Sequence, residues 1–313
     1  MHKSDHQLTI AAIGEVLWDV YHDQRTFGGA PANFACHASA LGAHSYLISS
    51  VGSDALGQQA CQFLNEHHVQ LDGVHCDTQH PTGQVQISLD NDGVASYEFA
   101  NNVAWDHIQL DANIIKIASQ LDAVCFGSLA QRSEKSAAAI FEFLSFTPKH
   151  CMKLFDVNLR QDFYNKEVIQ KSLDACNAIK LNLEELEILA KMLKIRGNME
   201  DFMLTIMRRN DLQFAILTGG ADGAWLFERT SYNFSRADQS VEVVSTVGAG
   251  DSFTATAVIA RLRGLELVES NRLANKVAGY VCGQKAAVPI IPAELIEPLT
   301  TTSPLAEPAT PAS

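Results

Sequence analysis

Short apolar runs alternate with helical patterns along most of this 313-residue chain, and that alternation limits its fold more than any other feature. The segments that read as strands are 8–14, 44–52, 123–128, 153–158, 177–182 and 214–220. Helical patterns separate them; one of these, 31–42, opens with proline and ends with glycine. Strands joined by helices pair in parallel, so the chain is predicted to be α/β, with a mostly parallel sheet between two helical layers.

One segment, 83–100, breaks this rhythm. Apolar residues alternate over 85–89, a polar turn follows at 90–93, and apolar residues resume over 94–99. This pattern predicts an antiparallel β-hairpin instead of a strand–helix–strand unit. Such a hairpin either extends an edge of the main sheet or forms a lid over the strand ends, where α/β proteins bind ligands.

Composition narrows the class of partner. The formal charge is −13 and the pI is about 5.2, which argues against nucleic acid or an anionic membrane and favours a small polar ligand. No apolar run approaches the ~20 residues of a bilayer span, and the first ten residues lack a signal-peptide core, so a cytoplasmic location is expected. The seven cysteines form no CxxC pair and the histidines are scattered, so we expect reduced thiols and no histidine metal cluster.

The C-terminal stretch has a different composition. Six of the nine prolines lie between 289 and 311, and the last residues offer almost nothing to bury. The sequence therefore predicts one domain over 1–292 and a disordered tail over 293–313.

The stretch 245–253, STVGAGDSF, places two glycines and an alanine directly before Asp251. A strand-like segment precedes it and a helical pattern follows, so these small residues would lie at a helix N-terminus, where free amides bind anions. A carboxylate beside a resting phosphate would repel it, whereas a phosphoryl group passing to a hydroxyl needs both amides and a base. Asp251 is therefore a candidate general base; the alternative is that it only caps the helix.

A second glycine-rich stretch, 27–42, is neither a P-loop nor a dinucleotide-binding fingerprint. Gly28 and Gly29 would let the backbone approach a ligand closely, and Asn33 offers both a donor and an acceptor to a hydroxyl. Just upstream, Asp19 is expected at the end of a strand, where its two oxygens suit adjacent sugar hydroxyls.

Taken together, these stretches resemble the signatures of the ribokinase-like, or PfkB, carbohydrate kinases. GGAPANFACHASALG is similar to the N-terminal signature of that family and STVGAGDSF to its C-terminal one. KLNLEEL, LTGGADGAWLF and ANKVAGYVCGQKAAVPIIP resemble intervening and late elements in the same order. The resemblance extends from residue 8 to about 292.

The resemblance implies a Rossmann-like three-layer fold with a small β lid, formed by segments of about 14–30 and 83–105, and transfer of the γ-phosphoryl group of ATP to a sugar hydroxyl. The implied catalytic group is the base Asp251 with an anion hole at Gly248, Ala249 and Gly250 and the amide of Asp251 itself. The implied sugar-binding residues are Asp19, Gly28, Gly29, Asn33 and Arg160, with Tyr97 or Phe99 closing over the sugar. The implied nucleotide-binding residues are Asn182, Glu185, Thr218, Gly220, Gly223 and Asn275.

Some of these roles have structural alternatives. Glu185 would act on Mg²⁺ through water, yet Asn182 and Glu185 also lie where a helix cap is common. Arg160 would steady the charge of the substrate or phosphate, but could instead pair with Asp156 or Asp162 on the surface.

Our expectation about the identity of the sugar depends on one position where this chain differs from the family pattern. Many relatives that phosphorylate ribose or sugar phosphates read Gly-Gly-Lys-Gly where this chain has 28–31, GGAP, so an obvious cation for a phosphorylated substrate is missing. GEVLWD and NVAWD resemble the fructokinase branch, which implies free D-fructose as substrate. Other sugars, nucleosides, or sugar binding without turnover stay open, as does a homodimer formed through the lid hairpin.

Another departure concerns a monovalent cation. Ser245 and Thr246 stand where the family usually has Asp-Thr, so a carboxylate is missing beside the anion hole. The resemblance implies a K⁺ site in potassium-activated members, and without that charge we expect K⁺ to act weakly here.

Overall fold

A computed structural model describes residues 7–22, 24–89 and 95–300 of the chain. Its strands, in chain order, are β1 Thr9–Ile13, β2 Leu17–Tyr21, β3 Gln24–Gly28, β4 His44–Gly52, β5 Val74–Asp77, β6 Gly83–Leu89, β7 Ala95–Phe99, β8 Ala123–Gly127, β9 Met152–Asp156, β10 Ala178–Asn182, β11 Phe214–Thr218, β12 Ala224–Glu228 and β13 Tyr232–Ser235. Its α-helices are α1 Ala30–Ala40, α2 Ala55–Glu66, α3 Ala112–Ala118, α4 Glu134–Ser145, α5 Lys166–Ala175, α6 Leu183–Leu193, α7 Met199–Arg209, α8 Ala249–Leu262, α9 Leu267–Cys282 and α10 Ala293–Thr300.

The main sheet has nine strands in the order β13-β12-β11-β10-β9-β8-β1-β4-β5. The seven strands from β11 to β5 run parallel, while β12 and β13 pair antiparallel at one edge. The apolar runs predicted as strands therefore form the centre of this sheet. This confirms the predicted α/β fold class.

The side chains of β1 alternate between two apolar cores, as a strand covered on both faces requires. Ile10 and Ala12 face a core shared with helices α1, α2, α8 and α9. Ala11 and Ile13 face the opposite core, which is shared with helices α3 to α7. The molecule is thus a three-layer α/β structure.

A small sheet of four strands, in the order β3-β2-β6-β7, stands apart from the main sheet. Strands β6 and β7 pair antiparallel, as the hairpin pattern predicts, and β6 also pairs in parallel with β2. The hairpin therefore belongs to a separate sheet and is not an edge extension of the main one. The predicted turn at 90–93 lies outside the described residues.

Two expectations are wrong. Asp19 does not end the first strand, because β1 stops at Ile13 and Asp19 lies in the middle of β2 in the small sheet. The disordered tail does not begin at 293, because α10 covers Ala293–Thr300 and buries Leu299 against the core. The remainder of the predicted tail, 301–313, lies outside the described residues.

Each of the seven cysteines is a free thiol in this structure. Among the described residues, no helix combines the length and apolar character needed to cross a bilayer.

Candidate active site

The candidate site lies at the edge of the main sheet where its parallel strands end. Glu15 follows β1, Asp156 ends β9, Asn182 ends β10 and Thr218 ends β11. In an open parallel sheet, these carboxyl ends form the crevice that binds ligands.

Helix α8 begins at this crevice with a tight glycine turn. Gly248 is its N-cap with φ of 80°, and a Cβ there would lie 2.1 Å from the Ala287 carbonyl oxygen, so the position requires glycine. The Ser252 amide makes the first bond of this helix, to the Gly248 carbonyl. Within the described residues, the amides of Gly250 and Asp251 have no acceptor, whereas the Ala249 amide makes a 3.3 Å bond to Thr246.

Open space in front of Gly250 makes these amides accessible. A Cβ on Gly250 would meet only the Lys180 Nζ, at 4.0 Å. Two free amides at a helix N-terminus with room in front of them form an anion-binding site. Of the amides expected in the anion hole, those of Gly250 and Asp251 are therefore free, and that of Ala249 is partly engaged.

The Asp251 side chain does not cap helix α8. Its Oδ2 accepts a 2.9 Å hydrogen bond from Asn33 Nδ2, and no side chain caps the helix at Gly248. Burial, followed by the nearby Asp156 charge, raises the pKa of Asp251 to about 6, against the lowering effects of Lys180, the Asn33 bond and Arg160. A carboxylate with this pKa is ionised at neutral pH and basic enough to accept a proton.

Two buried charges behind Asp251 form an ion pair, with Lys180 Nζ 3.0 Å from Asp156 Oδ1. A third buried acid, Glu15, has an Oε2 atom for which the described residues provide no hydrogen-bond partner. Burial raises the pKa of Glu15 to about 7, and the charges of Asp156 and Asp251 act in the same direction. The site thus concentrates negative charge near Asp251.

Of the predicted sugar-binding residues, Asn33 contacts Asp251 directly. Asn33 is buried, and its Oδ1 has no partner among the described residues, so a ligand hydroxyl could donate to it. Asp19 Oδ2 lies only 2.8 Å from where a Cβ of Gly28 would be. Gly29 has φ of 103°, and a Cβ there would lie 2.6 Å from the Glu15 carbonyl oxygen. The two glycines therefore let β2, β3 and α1 meet at this corner.

Arg160 is exposed at the same corner. Its charge lowers the pKa values of Glu15, Asp19 and Asp251, which places its guanidinium near all three carboxyl groups. The buried partner of Asp156 is Lys180. The Arg160 Nη1 donates to the Leu159 carbonyl oxygen at 3.0 Å, so the remaining N–H groups of the exposed guanidinium can meet a ligand.

The two aromatic residues of β7 differ in their surroundings. Phe99 is 9% exposed, and its ring packs edge-on against Phe163 at 5.7 Å. Tyr97 is 51% exposed, and its carbonyl oxygen accepts a hydrogen bond from Gln161 Nε2, next to Arg160. The structure leaves Tyr97 as the aromatic that is free to close over a ligand, whereas Phe99 is part of the core.

A cleft of about 600 Å³ opens on the other side of the glycine turn. Five residues predicted to bind nucleotide line it: Asn182, Thr218, Gly220, Gly223 and Asn275. The apolar part of its wall includes Val241, Val243 and Phe253, and its inner end reaches Ala249 and Gly250. The cleft therefore leads to the same amides that Asp251 adjoins.

Glu185 is the predicted nucleotide-site residue that does not line this cleft. Asn182 and Glu185 form a capping box at the start of α6, in which each side chain accepts the backbone amide of the other at 2.8 Å. The second carboxylate oxygen of Glu185 accepts the Leu159 amide at 2.9 Å. Asn182 and Glu185 therefore do cap the helix. A metal ion bound directly to Glu185 would compete with the two backbone amides that this carboxylate already accepts.

The described residues include no group of three acidic, histidine or cysteine side chains suited to holding a metal ion. Each oxygen of Glu185 retains a second lone pair, so this carboxylate still suits a metal-bound water. The donor set thus fits Mg²⁺ held mostly by phosphates and water.

The profile of the family described as pfkB family carbohydrate kinase matches residues 7–294 of the chain. The protein belongs to this family. It is accordingly a sugar kinase of the pfkB type, and the matched range covers both sheets and all of the site described above.

Individual relatives of this kinase include sugar kinases of several kinds. The chain is 26% identical over 284 residues to a protein named probable fructokinase-4 of Arabidopsis thaliana, covering 85% of each chain. The structure of an uncharacterized sugar kinase from Pyrococcus horikoshii is 26% identical, has a TM-score of 0.78 and matches 90% of this chain and 93% of its own. A fructokinase from Xylella fastidiosa, crystallised with bound ATP, shares the fold with a TM-score of 0.82 at 21% identity, covering 93% of this chain and 97% of its own.

Three charged residues of the kinase site were not predicted to act there: Glu15, Asp156 and Lys180. A signal for them exists, because each lies within or directly after a run that reads as a buried strand. A charge in such a place is expensive unless it is paired or functional. The apolar wall formed by Val241 and Val243 lies in an irregular loop, for which the sequence contains no comparable signal.

Proposed function

We propose that this kinase transfers the γ-phosphoryl group of ATP to a hydroxyl of free D-fructose, with Asp251 as the general base. The observation that carries the proposal is the position of Asp251, half-buried beside Asn33 and next to the free amides at the inner end of the cleft. ATP in that cleft would present its terminal phosphate to Gly250, and a sugar held by Asp19 and Asn33 would present a hydroxyl to Asp251.

The residues divide the reaction between them. Asp251 takes the proton of the attacking hydroxyl, which makes the oxygen a better nucleophile at the moment of transfer. The amides of Gly250 and Asp251 stabilise the charge on the transferring phosphoryl oxygens. Arg160 and Tyr97 cover the sugar and exclude water. A Mg²⁺ ion bound with ATP would neutralise phosphate charge, with Glu185 contacting it through water.

Two features support fructose in particular. The turn at 28–31 contains no lysine that would recognise a phosphorylated sugar. Relatives of the chain include proteins named fructokinase. Other sugar kinases are related as well, so the choice of sugar depends on the assay below.

ADP release measured across free sugars, sugar phosphates and nucleosides tests the substrate. We expect D-fructose to have the highest kcat/KM. Greater turnover of a sugar phosphate or a nucleoside would overturn the fructose assignment, whereas ADP release with none of the compounds would favour a sugar-binding protein without turnover.

The missing carboxylate at Ser245 supports weak activation by K⁺. The Ser245 Oγ accepts a 3.3 Å hydrogen bond from the Val247 amide, so it offers a ligand oxygen but no charge. Rates with potassium chloride are expected to differ little from rates with a bulky organic cation chloride at equal ionic strength, and Ser245→Asp should strengthen the potassium response. Strong activation of the wild type at low millimolar K⁺ would show that the missing charge is immaterial.

A further inference from the structure

The ion pair of Asp156 and Lys180 lies next to the glycine turn of the proposed anion hole. The two residues are register neighbours on the parallel strands β9 and β10, and both are buried. Their charged atoms are 3.0 Å apart. The Lys180 Nζ is also the atom nearest to the position a Gly250 Cβ would occupy, at 4.0 Å.

Stability alone does not explain a buried pair in this place. Taking two charges out of water costs free energy that their attraction only partly offsets, and apolar replacements are often neutral or stabilising. The strand interiors around the pair are otherwise apolar, since Phe155, Ile179 and Leu181 flank it along the chain. A role at the adjoining glycine turn accounts for its presence.

The two members of the pair act on Asp251 with opposite signs. Asp156 raises the pKa of Asp251 through like-charge repulsion, and Lys180 lowers it through attraction. The other ionisable groups near Asp251 are Arg160, which lowers its pKa, Glu15, which carries a like charge when ionised, and the Cys125 thiol. Burial and the nearby carboxylates raise the pKa of Cys125, so this thiol stays neutral. Lys180 is the only buried cation in this set of described residues.

We propose that Lys180, anchored by Asp156, is a positioning residue for phosphoryl transfer: its ammonium supplies a fixed positive charge beside the amides of Gly250 and Asp251, and the pair sets the charge state of Asp251. The inference rests on the proposed role of Asp251 as general base. It does not depend on which sugar is the substrate. In a site that excludes water, a fixed charge at this distance acts strongly on a developing negative charge.

The test is the pH dependence of kcat/KM, measured with the sugar that gives the fastest turnover. Asp156→Asn removes repulsion from Asp251, so the acid limb of the profile should move to lower pH by about half a unit or more. Adding Lys180→Met in that background removes attraction, so the limb should move back to higher pH. Lys180→Met is made in the Asp156→Asn background because an unpaired buried Asp156 would take up a proton and mask the effect.

A second readout separates the fixed charge from the titration. At pH 8, where Asp251 is ionised, Asp156→Asn/Lys180→Met should lower kcat about tenfold relative to Asp156→Asn, with little change in the KM for sugar. Asp156→Asn/Lys180→Arg retains the positive charge and should restore most of that loss. If Asp156→Asn does not fold, the two double variants are compared with each other.

A matched control is available in the second buried ion pair, between Arg132 and Asp106 near the base of the small sheet. Arg132→Met/Asp106→Asn removes a buried pair whose members do not contribute to the pKa of Asp251. It should change the melting temperature but leave the acid limb in place.

The outcomes separate the role of the ion pair from the proposed role of Asp251 as general base. A rate retained by Asp251→Asn, or a wild-type profile without an acid limb, contradicts the base assignment. A different result contradicts the inference alone. In that case Asp251→Asn is inactive, but the acid limb lies at the same pH in Asp156→Asn, Asp156→Asn/Lys180→Met and Asp156→Asn/Lys180→Arg. The ion pair would then have no role at Asp251.

Discussion

At the scale of single residues, the surroundings of Asp251 disfavour the ionised form of its carboxylate. Burial and the neighbouring Asp156 raise its pKa to about 6, and the hydrogen bond from Asn33 only partly offsets them. This suits the proposed role of Asp251, because a general base is most effective when its pKa lies near the working pH. Folding is weakened by the same arrangement, because the ionised form is less stable in the folded protein than in water.

Asp251→Asn is therefore expected to lower kcat by about 10²- to 10⁴-fold while stabilising the fold at pH 8 by about 3 kcal/mol. The folded-state pKa is raised, so ionisation destabilises the protein as pH increases from about 4 to 6; the gain in the variant should vanish as pH falls through this window. Kinetics and thermal melts at pH 5 and pH 8 measure both effects. A variant with near-normal turnover and a lowered melting temperature would indicate a purely structural aspartate.

At the scale of elements, the start of α6 combines two tasks. Its capping box joins Asn182 to Glu185, and the same Glu185 carboxylate also holds the Leu159 amide, adjacent to Arg160. Helix α6 is thereby fixed to the loop that carries Arg160, and Asn182 is fixed at the mouth of the cleft. A carboxylate is suited to this position because it has two acceptor oxygens for two separate amides.

Glu185→Gln replaces one of these acceptors with a donor. We expect a loss of about 1 to 2 kcal/mol in unfolding free energy and a higher Mg²⁺ concentration for half-maximal rate, with little change in sugar affinity. Thermal melts and a magnesium titration measure the two effects. Asp201→Asn alters a similar capping box at the start of α7 and serves as the control. An unchanged magnesium curve for Glu185→Gln would leave Glu185 with the structural role alone.

Strand β7 places Tyr97 and Phe99 on the same face, and we expect Phe99 to contribute to stability and Tyr97 to sugar binding. Phe99→Ala should cost about 3 to 5 kcal/mol because its buried ring packs against Phe163. Tyr97→Ala should leave stability nearly unchanged and raise the KM for sugar about fivefold, since its exposed ring is free to cover a ligand. Denaturation curves and sugar saturation curves for both variants test this division. An unaltered sugar KM in Tyr97→Ala would remove Tyr97 from the sugar site.

At the scale of the whole molecule, the site depends on segments far apart in the chain. Asn33 and Asp251 are 218 residues apart in sequence and meet through the packing of α1 against α8. Helix α10 covers the same layer of the protein, with Leu299 in the core beside helix α9. The segment after 292 therefore contributes to the layer that supports the glycine turn.

Leu299→Ala is expected to lower the unfolding free energy by about 2 to 4 kcal/mol, because the side chain is only 2% exposed. Ile290→Ala is the matched control, since that side chain is 89% exposed and its loss should be nearly neutral. Chemical denaturation of the two variants makes the comparison. Equal stabilities would mean that α10 does not pack as described.

The sequence by itself determined the layers of the fold and pointed to the candidate site. Alternation of apolar and helical segments predicts the parallel sheet, because a strand buried on both faces needs a continuous apolar run and a crossover to the next strand. The hairpin at 83–100 is visible from its two-residue period. Gly248, Gly250 and Asp251 stand out because free amides beside a carboxylate suit either phosphoryl transfer or a helix cap.

Only the tertiary structure decided which groups act on one another. The pairing of Lys180 with Asp156, the buried Oδ1 of Asn33 that has no partner among the described residues, and the difference in burial between Tyr97 and Phe99 depend on strand neighbours and on tertiary packing. No local pattern contains this information, because pKa values and free donors depend on atoms brought together from distant parts of the chain. Helix α10 shows the same limit: its composition favours disorder, yet contact with helix α9 and the burial of Leu299 order it.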